Sequence, residues 1–449
     1  MAIKLLGLVF ACVCLVYLGY GPVRLILGRP GGRATRLTML AYGLPLGMTI
    51  LNFAVVLYGL AEIRFSLLNL LPLLLLPGGL HFLARRRDKT TAFAGPDNDL
   101  QPADMAPRDA GSNLLPRPYS LAILIAAGVA VTLGCLLEPI AETDAVAHWA
   151  LHAKIYFYDR TVFSPFMTLG GAGLTGVSHC PPLYSITQTW LHLGMGQYDD
   201  LLVKLHLPLL YLAMLICIHA GMRRFVSSTD ALALLLVPAT LPAIIVPFPA
   251  GSVATAYADV PLALFIAGVT GLLIGWCRGR DWRYLLLAAL LAAGAIWIKR
   301  EGLAFAGVAT VVVWGFSLIA PRGDSVLTRW RRLLSPAGFT GILVASFLLQ
   351  AVYKSHFPGA FAGEPIIWGE VLGSHGLNRA LASARYLLLE LFKPSRWGFL
   401  WILVAGLLVI RHRLLGQRTV LLLLLLLLGQ FAAIVLGMTI SEFEPARMA

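Results

Sequence analysis

Long apolar runs, separated by short connections rich in Arg, Gly and Pro, pattern this chain from end to end. The runs lie at roughly 4–21, 38–60, 65–84, 119–138, 201–221, 231–248, 259–277, 284–299, 302–320, 336–354, 397–411 and 419–439. A helix rises 1.5 Å per residue, so ~20 apolar residues cross a hydrocarbon core ~30 Å thick. About twelve runs therefore predict an all-α, polytopic transmembrane helical bundle. Only Lys4 stands ahead of the first run, and no small-residue cleavage site follows it. It reads as a helix, not a removed signal.

Composition agrees with the pattern. Charged residues make up 13% of the 449, about half the ~25% of a soluble domain, while 58% are hydrophobic and mean hydropathy is +0.80. That leaves too little charge to cover a soluble surface, and it excludes a disordered chain or a disulfide scaffold. Five of the six cysteines (Cys12, Cys14, Cys135, Cys217, Cys277) lie in or at the ends of apolar runs, and only Cys180 sits in a polar loop. No metal or redox spacing appears among them.

The net charge of +13 sorts by connection. Every second connection is basic: Arg24, Arg29, Arg33 and Arg36; Arg85, Arg86, Arg87 and Lys89; Arg223 and Arg224; Arg278, Arg280 and Arg283; Arg322, Arg329, Arg331 and Arg332; Arg411, Arg413 and Arg418. By the positive-inside tendency these are cytoplasmic, which leaves 142–200 and 356–396 as outer loops and both termini outside. The cytoplasmic side then holds 22 basic and 8 acidic residues, and the outer side 13 basic and 14 acidic. The excess is a topology signal and needs no nucleic-acid partner. A Pro-, Asp- and Gly-rich linker at 85–118 divides a three-helix segment, 1–84, from a nine-helix region, 119–449.

Because charge is scarce, ionisable residues near outer helix ends are the candidate chemistry. The first outer loop opens with Glu138, Glu142 and Asp144, then His148, Trp149, His152 and Lys154. Positions 144, 148 and 152 share one face of a regular helix. A carboxylate there can serve as general base towards a hydroxyl, with Asp144 the first candidate and Glu142 the second. The structural alternative is that Thr143 or Asp144 simply caps a helix. Further on, His179-Cys180-Pro181-Pro182-Leu183-Tyr184 precedes an amphipathic stretch ending at Trp190, read as a turn and an interfacial helix. Asp144, His148 and His179 offer groups that a divalent metal accepts, but their spacing fits no established pattern, so no cofactor is assigned.

Two short outer patches follow. Tyr257-Ala258-Asp259-Val260-Pro261 opens a helix, where Asp259 also suits the helix dipole. Lys299-Arg300-Glu301-Gly302 lies in a tight turn between apolar runs; two outer cations run against the topology rule and suit an anion such as a lipid phosphate, and a salt bridge to Glu301 is compatible with that. The last outer loop carries His356, Glu364, Trp368, Glu370, His375, Arg379 and Arg385, and residues 377–392 read as a helix lying in the interface.

Together these motifs resemble the GT-C superfamily: Asp-x-x-x-His-Trp-x-x-x-Ala-Lys at 144–154, the His/Pro-Pro-Leu-Tyr segment at 179–184, Tyr-Ala-Asp-x-Pro-Leu-Ala at 257–263 and Lys-x-Glu-Gly at 299–302. The likeness covers about 120–411 and is nearest to the bacterial relatives of the protein O-mannosyltransferase and lipid A aminoarabinose transferase group. It implies a GT-C-like core and an integral-membrane glycosyltransferase of the plasma (inner) membrane, with its site facing the periplasm. Such an enzyme uses a polyprenyl-phosphate-linked sugar donor, a lipid, glycan or protein acceptor, and inversion at the anomeric carbon. The resemblance implies Asp144 as base with Glu142 beside it, and Lys299 or Arg300 at the donor phosphate. It implies a place at the cavity for Asp259; His148, Lys154, His179, Tyr257, Glu301, His356 and Arg379 complete the substrate-binding candidates. Two features depart from the pattern: three helices precede the acidic loop, and Thr143 separates Glu142 from Asp144.

Two other functions compete. An O-antigen polymerase or ligase concentrates its Arg and His in a large late loop, whereas here the late loop is shorter than the first. A transporter predicts internal repeats and ionisable residues near the midplane. No repeat stands out, although Pro238, Pro242, Pro247 and Pro249 interrupt one run.

Overall fold

The computed structural model describes residues 1–28, 33–80, 82, 115–168, 180–246, 252–319, 326–357, 374–398, 400–410 and 417–440. Most of the 85–118 linker, His179 and the middle of the 356–396 loop lie outside the described residues. Among those described, every regular element is helical. The principal helices are α1 (Ala2–Leu27), α2 (Arg33–Leu60), α3 (Leu67–Leu80), α4 (Arg117–Leu137), α5 (Leu151–Asp159), α6 (Leu183–Met195), α7 (Leu207–Met222) and α8 (Ser228–Ala239). They continue as α9 (Asp259–Gly279), α10 (Trp282–Ile296), α11 (Arg300–Leu318), α12 (Val326–Ser355), α13 (Ser374–Leu391), α14 (Leu400–Ile410) and α15 (Arg418–Ile440).

Eight segments among the described residues are long and apolar enough to cross a membrane: those in α1, α2, α4, α9, α11, α12 and α15, and the stretch Leu202–Met222 that ends in α7. The chain is thus an all-α, multi-pass membrane protein. The runs expected at 65–84, 231–248, 284–299 and 397–411 form shorter helices, α3, α8, α10 and α14. Three of them carry a local interruption. Pro72 starts a 3₁₀ turn in α3, and α8 ends at Thr240 just before Pro242. α10 turns back at Trp297.

The centre of the bundle is α2, α9 and α10, while α4 and α15 are largely exposed to the surroundings. α1 and α2 pack through glycines, as membrane helices do where no hydrophobic force separates helix from lipid. A Cβ on Gly19 would lie 1.9 Å from the Gly43 carbonyl oxygen, and one on Gly47 would lie 1.9 Å from that of Leu15.

α6 differs from the interfacial helix expected after Pro181-Pro182. Every residue of it except Gly194 is buried, under α1 and α2. Its polar residues looked like a wet face, but three of them bond to backbone carbonyls inside the bundle. Thr187 donates to the Leu183 carbonyl, Thr189 to the carbonyls of Ser185 and Ala153, and Trp190 Nε1 to the Ala11 carbonyl. Hydroxyls returning to the backbone one turn earlier let a polar sequence sit in a dry place.

Four contacts gather one end of the bundle. Lys4 pairs with Asp199 at 3.3 Å, Phe65 N–H donates to the Arg160 carbonyl, Lys204 Nζ donates to the Glu138 carbonyl at 2.9 Å, and Leu183 N–H donates to the Trp297 carbonyl. The segments expected on one side of the membrane from charge counting therefore meet in space at that end.

Candidate functional site

The site is built on the turn between α10 and α11. A helix end leaves its last carbonyls without partners, a cost that grows in a low-dielectric bundle. Here α12 supplies the donors. Ser346 Oγ donates to the Ala293 carbonyl and accepts from Trp297 Nε1, and Gln350 Nε2 donates to the Ile296 carbonyl at 2.9 Å. With α10 capped by a neighbouring helix, the chain can reverse within Trp297–Lys299 and start α11 at Arg300. Gly302 permits the tight return: a Cβ there would fall 2.0 Å from the Ala295 carbonyl oxygen.

This turn aims Lys299 at the first turn of α9. Its Nζ lies 2.9 Å from Asp259 Oδ1 and 3.8 Å from Glu301 Oε1, and 5.5 Å above the Trp149 ring. Lys299 is the better covered partner, its side chain 20% exposed against 43% for Asp259 and 45% for Glu301. Burial opposes its charge, but Asp259 and Glu301 outweigh that and raise its pKa. Asp259 opens α9 as expected, and its role at the helix end and its ion pair are compatible.

Trp149 links this cation to the acidic segment. Its ring lies 5.8 Å from Tyr257 and 5.8 Å from His148, and its buried Nε1–H has no partner among the described residues. Tyr257 meets the Asp144 backbone; burial first, then the charges of Asp144 and Glu142, push its hydroxyl pKa up. Tyr257 follows Ala256, whose φ of 61° is left-handed, a conformation costing an L-residue about 1 kcal/mol that marks a tightly specified turn. Asp144 itself is exposed and makes no capping hydrogen bond, which removes the capping alternative for its side chain.

The 144/148/152 face does not form as expected. Ala145–Ala150 is a π-turn, with Leu151 N–H bonded to the Val146 carbonyl, so residues four apart no longer superpose. His152 goes into the core against Tyr156, at 5.9 Å. Lys154 joins a different cluster, 5.5 Å above Tyr198. His356 packs on Phe163 at 4.6 Å, and Arg379 belongs to α13, which lies along α15.

Lys354 escaped sequence reading altogether, while Trp149 and Cys180 were noted in their motifs but given no place in the site. Cys180 lies where the fields of Arg300, Lys299, Asp144 and Glu301 meet; burial dominates and pushes its thiol up to about 11. Lys354 follows Ser346 and Gln350 at intervals of four along one face of α12, so the face that caps α10 carries Lys354 level with Arg300. Arg300 and Lys354 act on one another electrostatically. That spacing was the available signal, but it means nothing until the partner of 346 and 350 is known. Among the described residues no three His, Cys, Asp or Glu side chains approach as metal ligands would.

Compared with family models, curated proteins and solved structures, the chain matches none.

Gly302→Ala tests the geometry. Neither the Cβ nor the Ala295 backbone can yield, so α11 must move off α10 and carry Lys299 with it. We expect a loss of about 1–3 kcal/mol in stability. Gly307→Ala, on the same helix with nothing within 4 Å of the new Cβ, is the control. Equal behaviour of the two variants in thermal melts would refute the role given to this turn.

Proposed function

We propose that this protein is an integral-membrane glycosyltransferase of the GT-C kind, moving a sugar from a polyprenyl-phosphate donor to a hydroxyl acceptor at the end of the bundle that holds Asp144 and Lys299. The observation that carries the reading is the convergence, from three separate segments, of a carboxylate pair (Glu142, Asp144), an aromatic wall (Trp149, Tyr257) and a cation held by two further carboxylates (Lys299 with Asp259 and Glu301). A transporter would set ionisable groups between helices near mid-depth; these sit at helix ends.

The chemistry fits such a site. Asp144 takes the proton from the acceptor hydroxyl, and that oxygen attacks the anomeric carbon from the face opposite the phosphate. The bond between the anomeric carbon and the phosphate oxygen breaks, and polyprenyl phosphate leaves carrying the electron pair, steadied by Arg300 and by Lys299. One displacement inverts the configuration. Arg300 is the direct phosphate contact, and Lys299, paired with Asp259 and Glu301, both fixes the turn and adds its charge to the phosphate site. In the membrane, the basic excess of the alternate connections puts this end outside the plasma membrane, and grooves between apolar helices take the lipid chain.

The test is turnover by the purified protein in nanodiscs, supplied with polyprenyl-phosphate-linked sugars and candidate hydroxyl acceptors. The expected result is polyprenyl phosphate released one-for-one with transferred sugar of inverted configuration. Transfer from nucleotide sugars alone, or retention of configuration, would rule the reading out.

A further inference from the structure

We propose that Arg224 and Arg278, at the end of the bundle opposite the carboxylate cluster, bind the phosphate of an anionic phospholipid headgroup. Asp259 and Arg278 lie at the two ends of α9, a 21-residue helix about 31 Å long, so the two sites are a bilayer's hydrocarbon thickness apart.

Both guanidinium groups are held in place by the protein. Arg224 follows the end of α7 and lies flat on the backbone of Gly275, where a Cβ would stand 2.3 Å from its Nη1. Its other side lies 4.9 Å from the Tyr284 ring. Arg278 donates to the Arg224 carbonyl and lies 4.7 Å from the Phe225 ring. Backbone and rings thus hold two like charges side by side, where they repel each other. An anion with two oxygens relieves that repulsion, and guanidinium forks match phosphate oxygens in pairs.

The nearby carboxylates do not serve this purpose. Asp281 accepts from the Arg283 N–H as the cap of α10, and Asp230 accepts from Ser227 at the start of α8. Among the described residues neither Arg224 nor Arg278 forms an ion pair with a carboxylate. The level is that of a membrane interface: Trp282, which opens α10 two residues before Tyr284, is 56% exposed, and Arg280 lies 4.8 Å from the Trp276 ring. Aromatic rings collect at headgroup depth, and basic pockets between helices there take anionic heads. A lipid is therefore the source of phosphate that the site fits.

The test compares the full chain in phosphatidylcholine nanodiscs, in the same discs containing phosphatidylglycerol, and in phosphatidylcholine discs with inorganic phosphate. Melting temperature and lipid retained in native mass spectra are read in each. Wild type should melt higher with phosphatidylglycerol and carry it as an adduct, with little response to inorganic phosphate. The double variant Arg224→Gln, Arg278→Gln should lose the adduct by about tenfold or more yet melt as wild type does in phosphatidylcholine. Gly275→Ala, which unseats Arg224, should do the same. Identical melting of wild type in both lipids, or an adduct that survives in both variants, overturns the proposal. Stabilisation by inorganic phosphate equal to that by the lipid overturns the lipid assignment. The wild-type comparison alone decides if either variant fails to fold.

Discussion

Asn in place of Asp144 is expected to lower sugar transfer by about 10²–10⁴-fold, the range for losing a general base, while the melting temperature stays put. The separation of the two effects follows from the surroundings of this side chain. It is exposed, makes no capping hydrogen bond, and starts a helix that is held elsewhere, by Trp149 in the core and by the Tyr257 contact with the main chain. Removing its charge therefore costs the fold little. Initial rates at saturating donor, beside a thermal melt of each variant, make the measurement. Glu142→Gln is the companion: half-buried and two residues earlier, it should reduce transfer by less. The opposite ranking would move the base to Glu142, and full activity in both variants would remove the acidic segment from the reaction.

Removing both Lys299 and Arg300 by alanine substitution is expected to reduce transfer by at least about 10²-fold, as losing electrostatic stabilisation of a leaving group does. Here the single variants should differ in kind. Arg300→Ala removes a cation at the first position of α11 and should raise the donor KM. Lys299→Ala also leaves Asp259 and Glu301 facing each other without the cation between them, so it should loosen the α9–α11 contact and lower the melting temperature. Lys299→Ala paired with Asp259→Asn should recover the stability and not the activity. Donor binding unchanged in the double alanine variant would show that phosphate is held by other groups, with Lys354 next to test.

Several parts of this arrangement were legible in the sequence because they depend on local spacing. The start of α9 at Asp259 follows from where an apolar run meets a charged residue, and a tight turn was read at 299–302, whereas the chain reverses at 297–299 and Arg300–Gly302 already belong to α11. The pairing of Lys299 with Glu301 needs only a cation two residues from an anion. The partner at 2.9 Å, Asp259, is 40 residues away, and only packing of α9 against α10 and α11 brings it there. The helical face expected for 144, 148 and 152 failed for a reason that lies outside side-chain spacing. A π-turn inserts one residue into the hydrogen-bond ring and rotates everything beyond it, which sent His152 to the core and Lys154 to Tyr198.

α6 shows the same limit from the other direction. Thr187, Gln188, Thr189 and His192 among apolar positions look like a surface helix to any argument from periodicity. Whether such a helix lies on a membrane or inside a bundle depends on what covers it. α1 and α2 cover it, approaching closely because Gly7 and Gly194 meet backbone to backbone.

By itself, then, the sequence determined that this is an all-α membrane protein, where its long helices run, and which connections carry the basic excess. Those properties are sums over residues: hydrophobic transfer along each run, and charge counted between runs. Only the tertiary structure decided which of the scarce charged residues meet. Pairing Lys299 with Asp259, placing Trp149 between the cation and the acidic segment, bringing Lys354 level with Arg300 and burying α6 all require helices distant in sequence to pack at close, fixed distances. Those distances are set by glycine contacts, by the π-turn and by α12 side chains capping the end of α10.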